Sequence, residues 1–163
     1  MNISLIGMPG AGKSTIGKRL AEHLGAVFVD PDKLIETEYG KPLSDILADI
    51  GEEAFLEMEG EVTRRATRGR PNCVIATGGS IVYNESAMDY LSDIGFIVYL
   101  KVPLGTLTER IEKEPRAIIG SGEKTLEELY AERDPLYTKW ANAIVYANIE
   151  EGYVLEDVLA VLP

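Results

Sequence analysis

Residues 7–14 read Gly-Met-Pro-Gly-Ala-Gly-Lys-Ser and match the phosphate-binding pattern G-x-x-x-x-G-K-[ST]. The glycines let backbone N–H groups turn towards phosphate oxygens, and a helix that starts there adds the positive end of its dipole. An apolar run over 2–7 comes before the loop, and an apolar periodicity of helical type follows it over 13–23. A chance glycine-rich turn would not carry this context, so we expect a P-loop at the first strand-to-helix turn.

Short apolar runs recur along the rest of the chain and alternate with amphipathic segments. The apolar runs predict four further strands, at 26–29, 73–76, 96–100 and 143–146. The amphipathic segments predict helices at 32–39, 43–50, 52–68, 84–92, 103–113, 123–139 and 153–161. Strands of this kind are buried on both faces, so the alternation predicts an α/β fold with a doubly wound, parallel, five-stranded sheet.

The strip over 112–123 differs from the segments around it. It is charged, it carries glycines, and its large apolar residues are limited to Ile118 and Ile119. This composition predicts a mobile lid rather than a packed helix. Since 163 residues suffice for one core and no linker or repeat interrupts them, we expect a single domain over 1–163 that carries this lid.

The composition excludes several classes of function. The chain has 16 Lys+Arg against 27 Asp+Glu, and its net charge of -11 argues against a nucleic-acid partner or a membrane-surface partner. One cysteine and one histidine exclude an intramolecular disulfide and a zinc site of paired thiolates and imidazoles, so any metal site must use oxygen ligands. No apolar stretch approaches about 18 residues, and the N-terminus lacks the form of a signal peptide. We therefore expect a cytoplasmic protein, and a monomer.

Four residues near the phosphate loop carry side chains suited to nucleotide chemistry. Lys13 can reach the β- and γ-phosphates of a nucleotide, and the Ser14 hydroxyl can bind Mg²⁺. Asp30 and Asp32 follow the second predicted strand, at the edge where doubly wound sheets bind their ligands. A helix cap and a solvated acid would explain the same two aspartates, but the neighbouring P-loop favours a functional pair.

The P-loop by itself is compatible with switch GTPases, motor ATPases and small-molecule kinases. The chain is short for a motor, and it lacks an N-K-x-D motif of the guanine-binding type. Other motifs must therefore decide between these classes.

Further motifs follow in order along the chain. They are the P-loop extended by Thr15, Asp30-x-Asp32-x-x-Ile35-Glu36, Gly51-Glu52-x-x-Phe55-x-x-x-Glu59, Thr77-Gly78-Gly79, Arg116 in the lid strip, and Arg133-x-Pro135-Leu136-Tyr137. In this order and spacing, over nearly its whole length, the chain resembles the shikimate kinase family. The resemblance implies a P-loop kinase that uses ATP and Mg²⁺ and transfers the γ-phosphoryl group to a hydroxyl of a small hydroxy-acid metabolite.

The resemblance also implies roles for individual residues, matched by position. The implied nucleotide-binding residues are Gly10, Ala11, Gly12, Lys13, Ser14, Thr15 and, beside the adenine, Arg110. The implied metal ligands are Ser14 and Asp30, and the implied catalytic residues are Lys13, Asp32 and Arg116. The implied acceptor-binding residues are Asp32, Glu59, Gly78, Gly79 and Arg133, of which the arginine grips a carboxylate. A solvated lid or helix charge is the alternative explanation of Arg116 and Arg133, but the fixed spacing of Arg133 to Pro135-Leu136-Tyr137 argues against it for Arg133.

Two positions depart from the family pattern. Leu56 stands where the pattern has an arginine that shares the acceptor carboxylate, and Ser80 stands where it has a third glycine. Removal of one partner of a desolvated charge pair costs about 2–5 kcal/mol. Because Glu59 is retained, the pocket gains a negative charge relative to the family, which favours a hydroxy amino acid such as homoserine as a rival acceptor. Arg64 or Arg65, on the same predicted helix, could instead restore the missing charge.

Two other functions stay open at this point. A non-catalytic nucleotide-binding domain would keep the P-loop and lose its acceptor site, whereas the acceptor-site residues are retained in this chain. A nucleotide kinase of related fold would need a base-binding region, which the sequence does not indicate. We therefore expect the partners to be ATP and a small hydroxy acid or hydroxy amino acid.

Overall fold

The computed structural model describes residues 1–148 and 150–163, and its five parallel strands form one sheet in the order β2-β3-β1-β4-β5. The strands are β1 (Asn2–Ile6), β2 (Val27–Val29), β3 (Cys73–Ala76), β4 (Gly95–Lys101) and β5 (Ala143–Tyr146). The helices are α1 (Lys13–Leu24), α2 (Pro31–Tyr39), α3 (Leu43–Ile50), α4 (Glu52–Thr67), α5 (Glu85–Ile94), α6 (Leu104–Lys113), α7 (Leu126–Trp140) and α8 (Glu151–Val161). The predicted α/β fold with its parallel five-stranded sheet is confirmed.

Two local features differ from the sequence expectations. A short 3₁₀ helix over Ile81–Tyr83, which the apolar pattern does not predict, follows β3. Helix α6 continues to Lys113, so the predicted lid strip begins with two helical residues, and the segment without regular structure runs over 114–125. Within residues 1–148 and 150–163, no helix is both long and apolar enough to cross a membrane.

β1 is the central strand of the sheet, and all five of its residues are buried, as expected for a strand with a neighbour on each side. It pairs with β3 on one side, where Leu5 lies opposite Ala76, and with β4 on the other, where Ile6 lies opposite Tyr99. The chain therefore leaves β1 in the middle of the carboxyl edge, between the ends of two flanking strands. This is the position at which open α/β sheets bind their ligands.

Three loops meet at this edge. They follow β1, β2 and β3, and they carry the P-loop, Asp30 and residues 77–80. Thr77 ties the third loop to the first, because its backbone N and its Oγ1 both donate to the Leu5 carbonyl, at 3.2 and 3.0 Å. The strand order thus places the predicted site residues side by side although they are far apart in sequence.

The apolar core has two parts. The larger one fills the space between the sheet and its helices. The smaller one lies where α2, α3 and α4 pack together, and its buried members are Ile35, Ile46, Phe55 and Val62. Ile119, from the segment between α6 and α7, packs against this smaller cluster, so the lid strip has its own apolar contact with the body of the protein.

We expect Gly95→Ala to destabilise the protein by about 1–3 kcal/mol, as overpacking does. A Cβ on Gly95 would lie 2.1 Å from the carbonyl oxygen of Asn2, its partner in the neighbouring strand, so the backbone pairing would have to shift. The matched control is Gly105→Ala in α6, where a Cβ would meet no atom within 4 Å. Urea unfolding measures both variants, and equal free energies of unfolding for Gly95→Ala and the wild type would contradict the expectation.

Candidate active site

The P-loop encloses the start of α1. Gly10 and Gly12 have φ of 84° and 90°, in the left-handed region that glycine tolerates best. Lys13 is buried, and its Nζ donates to the carbonyl oxygens of Gly7 at 2.7 Å and Met8 at 2.8 Å. Burial lowers the pKa of Lys13 to about 8, against the opposing effect of the nearby Asp32 carboxylate. The loop therefore holds an ammonium group whose partners are neutral carbonyls.

Ser14 and Asp30 form the pair of oxygen ligands that the sequence predicts for a metal. The Ser14 hydroxyl donates to Asp30 Oδ2 at 2.7 Å, while Asp30 Oδ1 accepts from the Lys33 backbone N at 3.2 Å and caps α2. Asp30 is thus both a helix cap and a side chain of the site. Hydroxyl and carboxylate oxygens suit Mg²⁺, which takes few protein ligands when phosphate oxygens complete its coordination. Across 1–148 and 150–163, no three His, Cys, Asp or Glu side chains cluster as a metal site of protein ligands alone.

One large cleft of about 1110 Å³ collects most of the predicted site residues. Those that line it are Gly10, Ala11, Gly12, Lys13, Ser14, Thr15, Asp30, Asp32, Gly78, Gly79, Arg110 and Arg116. Arg110 donates to the Gly10 carbonyl at 3.0 Å, and Arg116 is exposed, with its Nη2 3.6 Å from Glu114 Oε2. The structure thus brings together the residues predicted for nucleotide, metal and catalysis.

A smaller pocket adjoins the cleft and shares a wall with it. The shared residues are Pro9, Asp32, Leu43, Gly78, Gly79 and Ala117. The pocket is completed by Leu47, Phe55, Ser80, Ile118, Ile119 and Arg133. A molecule in the pocket and a molecule in the cleft would therefore meet beside Asp32 and Gly78.

Arg133 is fixed inside the smaller pocket, although it comes from the distant helix α7. Only 1% of the residue is exposed. Its Nη2 donates to the Ile119 carbonyl at 2.6 Å, its Nε donates to Tyr83 Oη at 3.2 Å, and its guanidinium lies 5.1 Å from the centre of the Tyr83 ring. A planar guanidinium held in this way is suited to bind a carboxylate.

Asp32 and Glu59 both lie close to Gly78. A Cβ on Gly78 would lie 2.1 Å from Glu59 Oε1 and 3.1 Å from Asp32 Oδ1, so close packing requires glycine at this position. Burial, followed by the charge of Asp30, raises the pKa of Asp32 to about 6. Burial, followed by the charge of Asp32, raises the pKa of Glu59 to about 8. Asp32 lines the pocket, whereas Glu59 has no exposed surface and lies behind Gly78.

The two departures from the family pattern have different surroundings. Leu56 is half-buried on α4. Neither nearby arginine replaces the family arginine that is absent at position 56: Arg64 donates to Ser86 Oγ at 2.6 Å, and Arg65 pairs with Glu38. Ser80 lines the pocket and its Oγ lies 3.4 Å from Glu59 Oε2. The hydroxyl at position 80 therefore adds a hydrogen bond to the buried glutamate.

Three further residues support the site without having been predicted to do so. Tyr83 accepts from Arg133 and donates to Glu132 Oε1 at 2.6 Å. The Tyr137 hydroxyl donates to the Gly79 carbonyl, and Glu52 Oε1 accepts from the Gly120 backbone N at 2.8 Å. Tyr137 and Glu52 lie within two of the motifs shared with the shikimate kinase family, and this position could have indicated a role in the site. Nothing in the sequence indicates such a role for Tyr83, because its position depends on the unpredicted 3₁₀ helix.

Comparisons with known proteins agree on one family. A family profile described as shikimate kinase matches residues 9–163. A curated shikimate kinase of Francisella tularensis subsp. novicida is 39% identical over 150 residues, which cover 90% of this chain and 85% of that protein.

Solved structures give the same result at the level of the fold. A shikimate kinase from Acinetobacter baumannii in complex with shikimate superimposes with a TM-score of 0.86 at 33% identity, covering 97% of this chain and 90% of that one. A deoxyadenosine kinase from M. mycoides, with a TM-score of 0.61 at 18% identity, covers 98% of both chains and shares the fold alone.

We expect Glu52→Ala to loosen the segment over 117–121. The side chain holds the Gly120 amide, and loss of one such hydrogen bond, worth about 0.5–1.5 kcal/mol, should lower the exchange protection of that amide by about two- to twelvefold. Hydrogen exchange followed by mass spectrometry measures this change. Glu53→Ala, at an exposed position on the same helix, is the control. Unchanged exchange of 117–121 in Glu52→Ala would show that the contact does not hold the segment.

Proposed function

This chain belongs to the shikimate kinase family, and on that premise we propose that it transfers the γ-phosphoryl group of ATP to a hydroxyl group of shikimate. It is an ATP-dependent small-molecule kinase of the P-loop class. One observation carries the choice of acceptor: a buried arginine, Arg133, lines a pocket that shares the Asp32 wall with the nucleotide cleft. A small molecule with one carboxylate and a hydroxyl would place the hydroxyl at that wall.

On the donor side, the P-loop and two cations would stabilise the transferring group. In phosphoryl transfer the protein contributes positioning and charge neutralisation more than covalent chemistry. Lys13 and Arg116 line the same cleft, and Arg116 is close enough to lower the pKa of Lys13. We assign to these two side chains the positive charge around the γ-phosphoryl group, with Arg110 beside the adenine.

On the acceptor side, we assign Asp32 to the attacking hydroxyl and Arg133 to the carboxylate. Asp32 lines both the cleft and the smaller pocket, so its carboxylate is placed to accept from a substrate hydroxyl. With a pKa raised to about 6, Asp32 is largely ionised at neutral pH and can accept that proton. The close-packed Gly78 and Gly79 would form the surface on which the acceptor lies.

Mg²⁺ is the proposed metal, and Ser14 and Asp30 would hold it. Their oxygens are already adjacent at 2.7 Å and belong to the cleft that the triphosphate would occupy. A bound Mg²⁺ neutralises phosphate charge and orients the transferring group. Ser14 and Asp30 would fix its place relative to Lys13.

The alternative functions are not favoured. A hydroxy amino acid was suggested by an extra negative charge beside Leu56, but Glu59 is sealed behind Gly78 and does not face the pocket. A non-catalytic domain would have no use for a pocket lined by both Arg133 and Asp32, and a curated relative at 39% identity is a shikimate kinase.

We also propose that residues 1–163 act as a single kinase domain, as a monomer in the cytoplasm, with the segment near 112–123 as its lid. The lid assignment is supported by Ala117, Ile118 and Ile119, which line the acceptor pocket, and by the contacts of the segment with α4 and α7. A lid here would keep water away from the γ-phosphoryl group.

The direct test is turnover. Acceptor-dependent ADP release should be seen with shikimate and not with homoserine, threonine, serine or gluconate, because the pocket offers one buried guanidinium for a carboxylate and no exposed carboxylate for an ammonium beyond Asp32. Turnover with homoserine at lower KM than shikimate would reverse the choice of acceptor. Nucleotide binding without turnover of any of the five would refute the kinase assignment.

Arg133→Ala should raise the KM for shikimate by about 30- to 5,000-fold, the equivalent of about 2–5 kcal/mol for a desolvated charge pair. Arg133→Lys keeps the charge but loses the planar geometry, so we expect an intermediate KM. Arg68→Ala, at an exposed position, is the control for the loss of a positive charge. Steady-state kinetics at saturating ATP measures all three, and an unchanged KM in Arg133→Ala would exclude the assigned role.

A further inference from the structure

One buried side chain of the site has no assigned chemistry: the carboxyl group of Glu59 on α4. The residue has no exposed surface, its Oε1 has no hydrogen-bond partner, and its Oε2 accepts from Ser80 Oγ at 3.4 Å. A carboxylate taken out of water in this way needs a cation or several strong donors, because burial of an isolated charge is costly.

Glu59 has no such cation. None of the ion pairs formed by residues 1–148 and 150–163 includes it. The two nearest buried cations are engaged elsewhere: Lys13 donates to P-loop carbonyls, and Arg133 donates to Ile119 and Tyr83. Leu56, one turn earlier on the same helix, contributes an apolar side chain.

The group that does face Glu59 is another carboxyl. Glu59 Oε1 and Asp32 Oδ1 are both buried without partners, and both lie close to the point that a Cβ of Gly78 would occupy, at 2.1 and 3.1 Å. Two carboxylates so close repel each other, and such pairs keep one proton between them. Asp32 lines the pocket and Glu59 does not, so the proton belongs on Glu59.

We infer that Glu59 is a neutral carboxylic acid in the working enzyme, and that it positions Asp32 and Gly78 as a hydrogen-bond donor and acceptor inside the wall of the acceptor pocket. Ser80 donates to one of its oxygens, and its own proton points towards Asp32. Leu56 is then compatible with the site, because a neutral acid needs no cation beside it. Glu59 is a positioning residue, since it does not reach the substrate.

The electrostatics of the site support this protonation state. Burial is the largest cause that raises the pKa of Glu59 to about 8, and the charge of Asp32 is the next. The titratable groups that face it from other elements are Asp32 on α2, Lys13 on α1 and Tyr137 on α7. The Gly78 backbone amide, the Ser80 hydroxyl and, least, the Lys13 charge oppose this rise in the pKa of Glu59 but do not cancel it.

The proton of Glu59 should be visible in the pH dependence of stability. Because the folded pKa of about 8 exceeds the ordinary value of 4.5, the stability that this proton contributes is complete below pH 4.5 and is lost as the pH rises to about 8. The raised pKa of Asp32 changes the stability between pH 3.8 and about pH 6, and the lowered pKa of Lys13 changes it between about pH 8 and pH 10.5. Tyr137 stays protonated, since its pKa is raised. The interval from pH 6 to pH 8 therefore reports on Glu59.

The first experiment compares the wild type with Glu59→Gln by urea unfolding, without nucleotide or acceptor. Between pH 6 and pH 8, the folded-to-unfolded ratio of the wild type should fall about tenfold per pH unit relative to Glu59→Gln. Glu57→Gln, at an exposed position on the same helix, should follow the wild type. A difference between the wild type and Glu59→Gln that does not change with pH would overturn the inference.

The second experiment adds a cation instead of removing the acid. Leu56→Arg places a guanidinium one helical turn from Glu59, which should ionise it and remove the fall in stability between pH 6 and pH 8. This variant also tests the inference if Glu59→Gln does not fold.

Infrared spectroscopy tests the protonation state directly. The carbonyl band of a protonated acid at pH 7 should be present in the wild type and lost in both variants, and its absence from the wild type would overturn the inference.

A third measurement depends on the proposed function. Ionisation of Glu59 adds a negative charge near the acceptor carboxylate, so the KM of the wild type for shikimate should rise above pH 8 more steeply than that of Glu59→Gln. Parallel KM profiles would remove the role in acceptor positioning. Complete lack of shikimate turnover would refute the proposed function, while the unfolding and infrared results would still decide the state of Glu59.

Discussion

Two hydrogen bonds from Thr77 to the Leu5 carbonyl hold the active site in register. They extend the β1–β3 pairing to the carboxyl edge, so that the P-loop and the loop at Gly78 leave the sheet side by side. Pro9 then packs against Gly79, where a Cβ would lie only 2.7 Å from the proline Cδ. The donor cleft and the acceptor pocket share one wall because of this close approach of two backbones.

The buried charges of the site are arranged in a way that the net charge of -11 does not indicate. The two buried cations, Lys13 and Arg133, are held by carbonyl and phenol oxygens, not by carboxylates. Their positive charge is therefore not neutralised inside the protein and is available for anionic groups of ligands. The neighbouring acids, Asp32 and Glu59, form no ion pair with any residue that the structure describes, and each keeps a buried oxygen without a hydrogen-bond partner there. The acidic surface has no part in this arrangement.

Much of the architecture was predictable from local pattern. Each of the five strands coincides with a predominantly apolar run, and the P-loop motif fixes the first turn, so the fold and the nucleotide cleft were predictable from the sequence. The assembly of Asp30, Asp32, Gly78 and Arg116 in one cleft also agrees with the order of motifs.

What the sequence could not provide were contacts between distant segments. Glu59 has the motif position of a ligand-binding acid, but only the packing of α4 against the Gly78 loop shows that it is sealed from the pocket. The partners of Arg64 and Arg65 on other helices, and the contact of Tyr83 with Arg133, depend on tertiary geometry in the same way. The hydroxy amino acid hypothesis lost its support for this reason: it counted the charge of Glu59 without knowing that the side chain is buried.

The hydrogen bond from Arg133 to the Ile119 carbonyl has a thermodynamic consequence of its own, since one guanidinium serves both the lid strip and the proposed acceptor carboxylate. Linkage is reciprocal, so if acceptor binding favours the ordered strip by some factor, the ordered strip tightens acceptor binding by the same factor.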